Sequence, residues 1–216
     1  RVRQALALAI DKDALVDQAL NGWQTPAWGG FVPPSMPGHM PGISLPCDPE
    51  RARGLLAEAG FPGGAGFPAV EAMLGANRSL IGEYLSAQWA RVLGIDVRWE
   101  TVISSRFFIH VHERQPQLFL MSWTADYHDP DNFLRVGLSQ RSPWSHPRYS
   151  RLIEEARRTI DQERRLALFQ QADELLMQHV PIIPLHYSRS HDLVKPWLLT
   201  GDYPWKNWTI LPHDDV

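Results

Sequence analysis

Apolar positions in the first twenty residues fall at helical spacing, with Leu6, Ala9, Ile10, Leu15 and Ala19 available for one face. Asp11 or Asp13 can cap a second helix within that stretch. From residue 21 to 47 the periodicity stops. Six prolines and five glycines make this segment a wandering loop, and loops of that length usually carry function or wrap another surface. Trp23 and Trp28 favour wrapping. Asp48-Pro49-Glu50 then combines a cap, a first-turn proline and an acid beside the helix dipole. Leu55, Leu56 and Ala59 line the face of that helix and Gly60 ends it. Gly63-Gly64-Ala65-Gly66 reads as a loop, because no strand precedes it and no GxxxxGK[ST] pattern is present.

Residues 69–74 predict a strand. A long amphipathic helix follows, with Ile81, Tyr84, Leu85, Gln88, Trp89 and Val92 on one side and Gly94 at its end. Ile95, Val97 and Trp99 alternate as a second strand. Phe107, Phe108 and Val111 suggest a short helix leading to an apolar strand over 117–122. The order strand, helix, strand, helix, strand favours a partly parallel sheet with helices on its faces. Two further helices are predicted over 147–160 and 161–179. The second carries Leu166, Phe169, Ala172, Leu175 and Leu176 at core spacing. Residues 181–187 form an extended strand whose prolines place it near an edge. His191-Asp192-Leu193-Val194 is another strand candidate, ahead of Lys195-Pro196-Trp197.

Composition narrows the function classes. With 216 residues, 44% apolar and 21% charged, the chain has room for one or two domains with a substantial core. A formal charge of -3 gives no basic footprint for nucleic acid, and no apolar run reaches the roughly 18 residues of a membrane span. The single Cys47 excludes an internal disulfide and any multi-cysteine zinc site, leaving both cytosol and periplasm open. Nine tryptophans are unusual, since Trp recurs at binding surfaces where one end stays wet. The chain opens Arg1-Val2-Arg3-Gln4, inside a helical pattern, as expected of a piece of a longer protein.

The most suggestive stretch is Ser122-Trp123-Thr124-Ala125-Asp126-Tyr127, directly after the apolar run Leu118-Phe119-Leu120-Met121. A buried strand ending there delivers an indole and a carboxylate to the rim of the sheet, where open α/β folds bind ligands. The pair suits a cation, through charge and π density together. The competing reading is that Asp126 and Asp129 cap a helix starting near Pro130. Other candidates are weaker. His110, His112 and His128 lack the paired acids and cysteines of a typical metal site, and no metal or cofactor is expected. His186 and Tyr187 can reach a cleft or serve the sheet edge. Cys47 has no histidine motif nearby and no GxSxG elbow exists. Glu100, Asp126 and Asp129 offer the carboxylate pairs any acidic protein offers. Arg157-Arg158 and Arg164-Arg165, interleaved with acids, read as solvated faces.

The blocks RVRQALALAIDKDALV, DPERARGLLAEAGFPGG, WARVLGIDV, LFLMSWTADYHDPDNFL, YSRLIEEARRTIDQERRLALFQQADELLMQHVPIIPLHY and LVKPW, in that order, resemble the family 5 extracellular solute-binding proteins, the oligopeptide- and dipeptide-binding components of ABC importers. The resemblance runs over nearly the whole chain. It implies a type II periplasmic-binding-protein-like α/β lobe, with a mixed β-sheet and helices on its faces. Residues 1–190 would be the C-terminal ligand-binding lobe, and 191–216 a crossover strand and tail towards an absent N-terminal lobe. The implied function is capture of a peptide or other small polar, amine-bearing solute between closing lobes, for delivery to an ABC permease, without chemistry of its own. The implied setting is periplasmic or extracellular, held to the membrane by a lipid anchor or the permease.

In peptide-binding members the aspartate of a W-x-x-D pattern pairs with the ligand's α-ammonium group and the tryptophan lines the pocket. That pattern falls on Trp123 and Asp126, with Ser122, Thr124, Tyr127 and Tyr187 as further expected ligand contacts. Departures exist. Leu120 stands where some oligopeptide receptors carry an arginine. Arg78 is nearest to the arginine of the dipeptide type but displaced from it, so the ligand's second end is unaccounted for. The family also includes receptors for nickel chelates, sugars, opines and antibiotics. A ligand-sensing module of a larger regulatory protein and a carboxylate-dependent hydrolase are the competing expectations.

Overall fold

The computed structural model describes residues 1–139 and 142–189, with the backbone of two short strands at 198–200 and 208–210. The strand and linker expected at 191–197, and most of the expected crossover segment 191–216, lie outside the described residues.

Helix α1 (Val2–Leu8) and α2 (Lys12–Ala19) are separate because the Asp11 carboxylate accepts the Ala14 N–H at 3.0 Å and caps the second. The loop that follows contains the two-residue strand β1 (Thr25–Pro26) before α3 (Pro49–Glu58), which Asp48 caps through the Arg51 N–H. Strand β2 (Val70–Gly75), α4 (Ser79–Leu93), β3 (Val97–Val102), α5 (Phe107–Arg114) and β4 (Leu118–Leu120) succeed one another as the alternating pattern predicts. Gly94 ends α4 at φ 69°, the left-handed cap that glycine adopts without strain. A π-helical turn at Asn132–Gly137 leads to α6 (Pro147–Arg158) and α7 (Gln162–His179), the latter capped by Asp161. Strands β5 (His186–Tyr187), β6 (Leu198–Thr200) and β7 (Trp208–Ile210) close the order.

The main sheet has the order β3-β2-β4 and is wholly parallel. Antiparallel pairing occurs in separate two-stranded ladders, β1 with β5 and β6 with β7. Helices cover both faces of the main sheet. On one, Ile81, Leu85 and Trp89 of α4 meet Ala72 and Val97 in the larger core, which also takes in α1 and α3. The Trp89 and Trp99 rings stack at 6.4 Å, and the Trp89 indole donates to the Leu6 carbonyl at 3.0 Å. On the other, Phe107 of α5 packs with Met73 and Val102. A second core gathers α6, α7, the π-helical turn, and Val32 and Met36 of the long loop.

That loop does wrap, and buried side chains fasten its backbone. Lys12, 1% exposed, donates from Nζ to the Ala27 carbonyl at 2.7 Å and to Ser44 Oγ, with the Trp28 ring 4.9 Å away. The Tyr187 hydroxyl donates to the Gly30 carbonyl at 2.7 Å. Asp173, fully buried on α7, accepts from the Phe31 and Val32 N–H groups. The Trp28 indole donates to Asp13, whereas Trp23 stays 59% exposed.

Burial lowers the Lys12 ammonium to about 8. An unfolded lysine keeps its proton to about pH 10.4, so between these values the unfolded chain binds more protons and stability rises with pH. Between pH 8 and 10 the unfolding free energy of the wild type, measured in urea, should gain about 2–3 kcal/mol relative to Lys12→Met. A pH-independent difference would place the ammonium in water.

Candidate functional site

Because the three main strands are parallel, their C-terminal ends share one rim, the position at which open α/β sheets hold ligands. Three segments meet there: Ala76–Arg78 after β2, Ile103 after β3, and Ser122 onwards after β4. Arg78 and Ser122 join across the rim, the guanidinium donating to Ser122 Oγ at 2.7 Å. β4 itself is shorter than the predicted strand, so the chain leaves regular structure before the indole.

Trp123 is held from two sides. Its Nε1 donates to Asn132 Oδ1 at 2.8 Å, and a Cβ on Gly137 would stand 3.2 Å from the indole, so the ring lies on the glycine. Both supports come from the π-helical turn, whose i→i+5 bonds bring residues five apart onto one side. The fully buried Asn132 also accepts the Asp126 N–H at 3.3 Å and donates to Asp126 Oδ2 at 3.3 Å. Asp126 itself is exposed, so its orientation is set from below while its outer face meets solvent.

The neighbouring acids are committed elsewhere. Asp129 caps the helix beginning at Pro130 through the Asp131 N–H at 2.9 Å, and takes both Arg165 Nη groups at 2.7 Å. Arg165 is therefore no part of a solvated face: its side chain is 19% exposed and its guanidinium lies 4.9 Å from the Phe169 ring centre. Asp131 is buried, which raises its pKa, but hydrogen bonds from Arg135 and Tyr127 outweigh burial and hold it below the usual carboxylate range. The Tyr127 hydroxyl donates to Asp131 at 2.6 Å and accepts from Arg135, leaving its ring 38% exposed at the edge of the site.

Beneath the rim lies a cavity of about 450 Å³, bordered by Arg78, Ser122, Trp123, Thr124, His186 and Tyr187 among others. Four of the six expected ligand residues thus share one cavity, while Asp126 and Tyr127 lie beyond its lining. Two of the bordering residues are not among those six, though the sequence pattern allows His186 to reach a cleft. Burial lowers the Arg78 guanidinium, which forms no ion pair among the described residues. It also lowers the His186 imidazole, with Arg78 adding to the effect, and His186 Nδ1 has no hydrogen-bond partner among the described residues. Arg78 follows the end of β2 and precedes α4 directly, a position that would have pointed to the rim. Asn132 carries no such signal, since an asparagine early in a helix reads as a cap.

The other candidates do not converge. His110 and His112 lie on α5, His128 meets the Ser35 carbonyl at 2.9 Å, and among the described residues no three metal-type side chains gather. Glu100 pairs with Arg114, and Cys47 is exposed with a thiol that burial and then Asp11 push up. Arg157 pairs with Glu154 and Arg164 with Glu155 on the surface. No helix among the described residues is long and apolar enough to cross a membrane.

Comparison with known proteins follows the same lines. Residues 1–143 match the family model for bacterial extracellular solute-binding proteins, family 5 Middle. Di/tripeptide-binding protein 3 of Pseudomonas aeruginosa is 32% identical over 198 residues, covering 87% of this chain and 37% of that protein. The periplasmic oligopeptide-binding protein OppA of Salmonella typhimurium is 30% identical over 243 residues, covering 99% and 42%. This chain therefore spans about two fifths of these relatives' length. Among solved structures, the Escherichia coli murein tripeptide binding protein MppA superimposes with a TM-score of 0.79 at 25% identity, covering 92% of this chain and 41% of that one. DppA from Helicobacter pylori, in complex with the peptide STSA, gives 0.74 at 25% identity, covering 86% and 38%.

Asn132→Ala removes the bond to the indole and both bonds to Asp126. It should cost about 1–3 kcal/mol in urea unfolding, the usual penalty for stranding buried polar partners. By NMR, exchange of the Trp123 indole N–H should quicken; an unchanged exchange rate would show that the ring is held without the Asn132 bond.

Proposed function

The chain belongs to the family 5 bacterial extracellular solute-binding proteins, and from that premise we propose that it forms the C-terminal ligand-binding lobe, residues 1–190, of an ABC-importer receptor. The ligand is a short peptide or another small amine-bearing solute. The observation that carries this reading is the Asp126 carboxylate, exposed yet oriented by buried Asn132 beside a fixed indole, at the lip of a cavity of about 450 Å³. A carboxylate in that position gains a charge-assisted bond to an ammonium group once closing lobes exclude water. Trp123 supplies the π face beside it. Ser122, Thr124 and Tyr187 offer hydroxyls along the cavity, and the Tyr127 ring flanks the lip.

Arg78 completes the polarity of the site. Its guanidinium is partly desolvated, bonded among the described residues to a neutral hydroxyl, and sits at the N-terminus of α4, where the helix dipole favours anions. It takes the ligand's carboxylate, the end for which sequence left no holder. A zwitterion such as a di- or tripeptide fits a site with an acid at one end and an arginine at the other. Relatives named as dipeptide-, di/tripeptide- and oligopeptide-binding proteins support that ligand class. The remaining contacts come from an N-terminal lobe in the complete protein, since closure draws its free energy from contacts to both lobes. A periplasmic or extracellular setting and delivery to a permease follow from the same reading, with no catalytic step.

The test is calorimetry on the complete two-lobed protein with a panel of di- and tripeptides, each with free and acetylated amino ends. Asp126→Asn should weaken binding of the free-amine peptides by about 2–4 kcal/mol, the range for stranding one partner of a buried charge pair. It should change binding of the acetylated ones far less. Equal losses for both series would remove Asp126 from amine recognition, and unchanged affinity would remove it from the site.

A further inference from the structure

Asp173 lies outside the site described above. It is 0% exposed on α7, and its carboxylate faces backbone rather than a cation. Oδ1 accepts the Phe31 N–H at 2.9 Å and Oδ2 the Val32 N–H at 3.2 Å, one oxygen to each donor. The approach depends on Gly30, where a Cβ would stand 1.9 Å from Oδ2. Immediately beyond this contact Phe31, Pro33, Ser35 and Met36 form part of the cavity's wall. Residues 29–36 contain no helix or strand, so no backbone ladder fixes their course.

We infer that Asp173 is a positioning residue for the cavity: its ionised carboxylate sets the course of wall residues 31–36, and its protonation lets that wall relax. The inference deepens the function proposed above, because it gives the same cavity a pH-dependent shape. An ionised carboxylate offers a strong acceptor oxygen to each N–H, whereas a protonated one leaves one of them a weakly accepting hydroxyl whose own proton needs a partner.

The surroundings place this change in an accessible range. Burial raises the Asp173 carboxyl to about 6, against the opposing pull of the two N–H bonds. The ionisable groups around it are Glu174 on its own helix, Tyr149 on α6, Tyr187 on β5 and His39 in the loop. Glu174 pushes Asp173 further upward, while burial and then the Asp173 charge raise Tyr149 and Tyr187. His39 Nδ1 lies 2.7 Å from the Val32 carbonyl, and its ring is edge-on to Tyr187. A carbonyl only accepts, so His39 Nδ1 is the donor in that bond.

The direction of the linkage gives a signature. A folded pKa raised above the unfolded value means that the folded chain binds the proton more tightly, so the Asp173 contribution favours the folded state as pH falls from about 6 to about 4. The wall loosens over the same range. A carboxylate that merely braced the fold would lose wall order and stability together.

The experiment is a pH titration of the 216-residue chain by ¹H–¹⁵N NMR for amides and ¹H–¹³C NMR for methionine methyls from pH 4.5 to 8, with urea unfolding at each pH. The Phe31 and Val32 amides and the Met36 methyl should move with one shared midpoint near 6. Asp173→Asn should abolish that transition, and His39→Asn should leave it. If Asp173→Asn does not fold, Gly30→Ala separates the same partners from the other side. Flat Phe31 and Val32 amides would overturn the inference. So would a transition that persists in Asp173→Asn, a silent Met36, or a wild-type-minus-Asp173→Asn stability difference that falls with the wall. None of these readouts involves a ligand, so failure of the complete protein to bind peptides would sink the proposed function and leave this result standing. If peptides do bind, affinity should fall by at least roughly 5-fold between pH 7.5 and 5.

Discussion

One loop has to lie between two cores, and it has almost no secondary structure with which to do so. Residues 21–47 cross from the sheet and its helices to the α6–α7 pair, with only Thr25–Pro26 paired to another strand. Backbone groups buried along such a path need partners. Lys12 from one core and Asp173 from the other supply them, the lysine by donating to a carbonyl and the aspartate by accepting from two N–H groups. Two buried charges of opposite sign are spent on backbone instead of on each other. Each is costly to desolvate, which moves their pKa values towards neutrality in opposite directions, and the loop's course is what that cost secures.

The same loop and the parallel rim form facing sides of one cavity. Strand ends bring Arg78 and Ser122 from one side, and Phe31 and Met36 approach from the other. The rim's side chains stand on paired strand ends, while the loop's part of the wall depends on a few bonds to irregular backbone. In the proposed site the acid and the arginine belong to different strand ends, so the separation between them follows from the β2–β4 pairing.

Local features were legible from residues alone. Asp11 and Asp48 cap helices because a capping side chain reaches only two or three residues along, and Asp129-Pro130 starts a helix for the same reason. The alternation of strands and helices over 69–122 gave the parallel sheet. What failed was long-range. The pairing of Thr25 with Tyr187 has no trace in a proline-rich loop, and Arg165, read as one charge among many on a helix face, reaches Asp129 by the packing of α7 against the turn. At the site, the W-x-x-D pattern named the indole and the acid, while nothing in the spacing of Arg78 told that it meets Ser122 across the rim. Asn132, which orients both Trp123 and Asp126, was invisible because its role depends on a π-helical turn that short-range propensity does not foretell.

That turn sets two demands against each other. In a regular α-helix, residues five apart diverge by roughly 140° around the axis, so Asn132 and Gly137 would not both face one indole. Widening the coil makes them neighbours at some expense in backbone regularity. A chain shortened by one residue here would have the better helix and the poorer lip, with either the amide or the flat glycine surface rotated off the ring. The six residues from 132 to 137 are thus under constraint in length as well as in identity. Any change in their number re-registers the floor beneath the tryptophan.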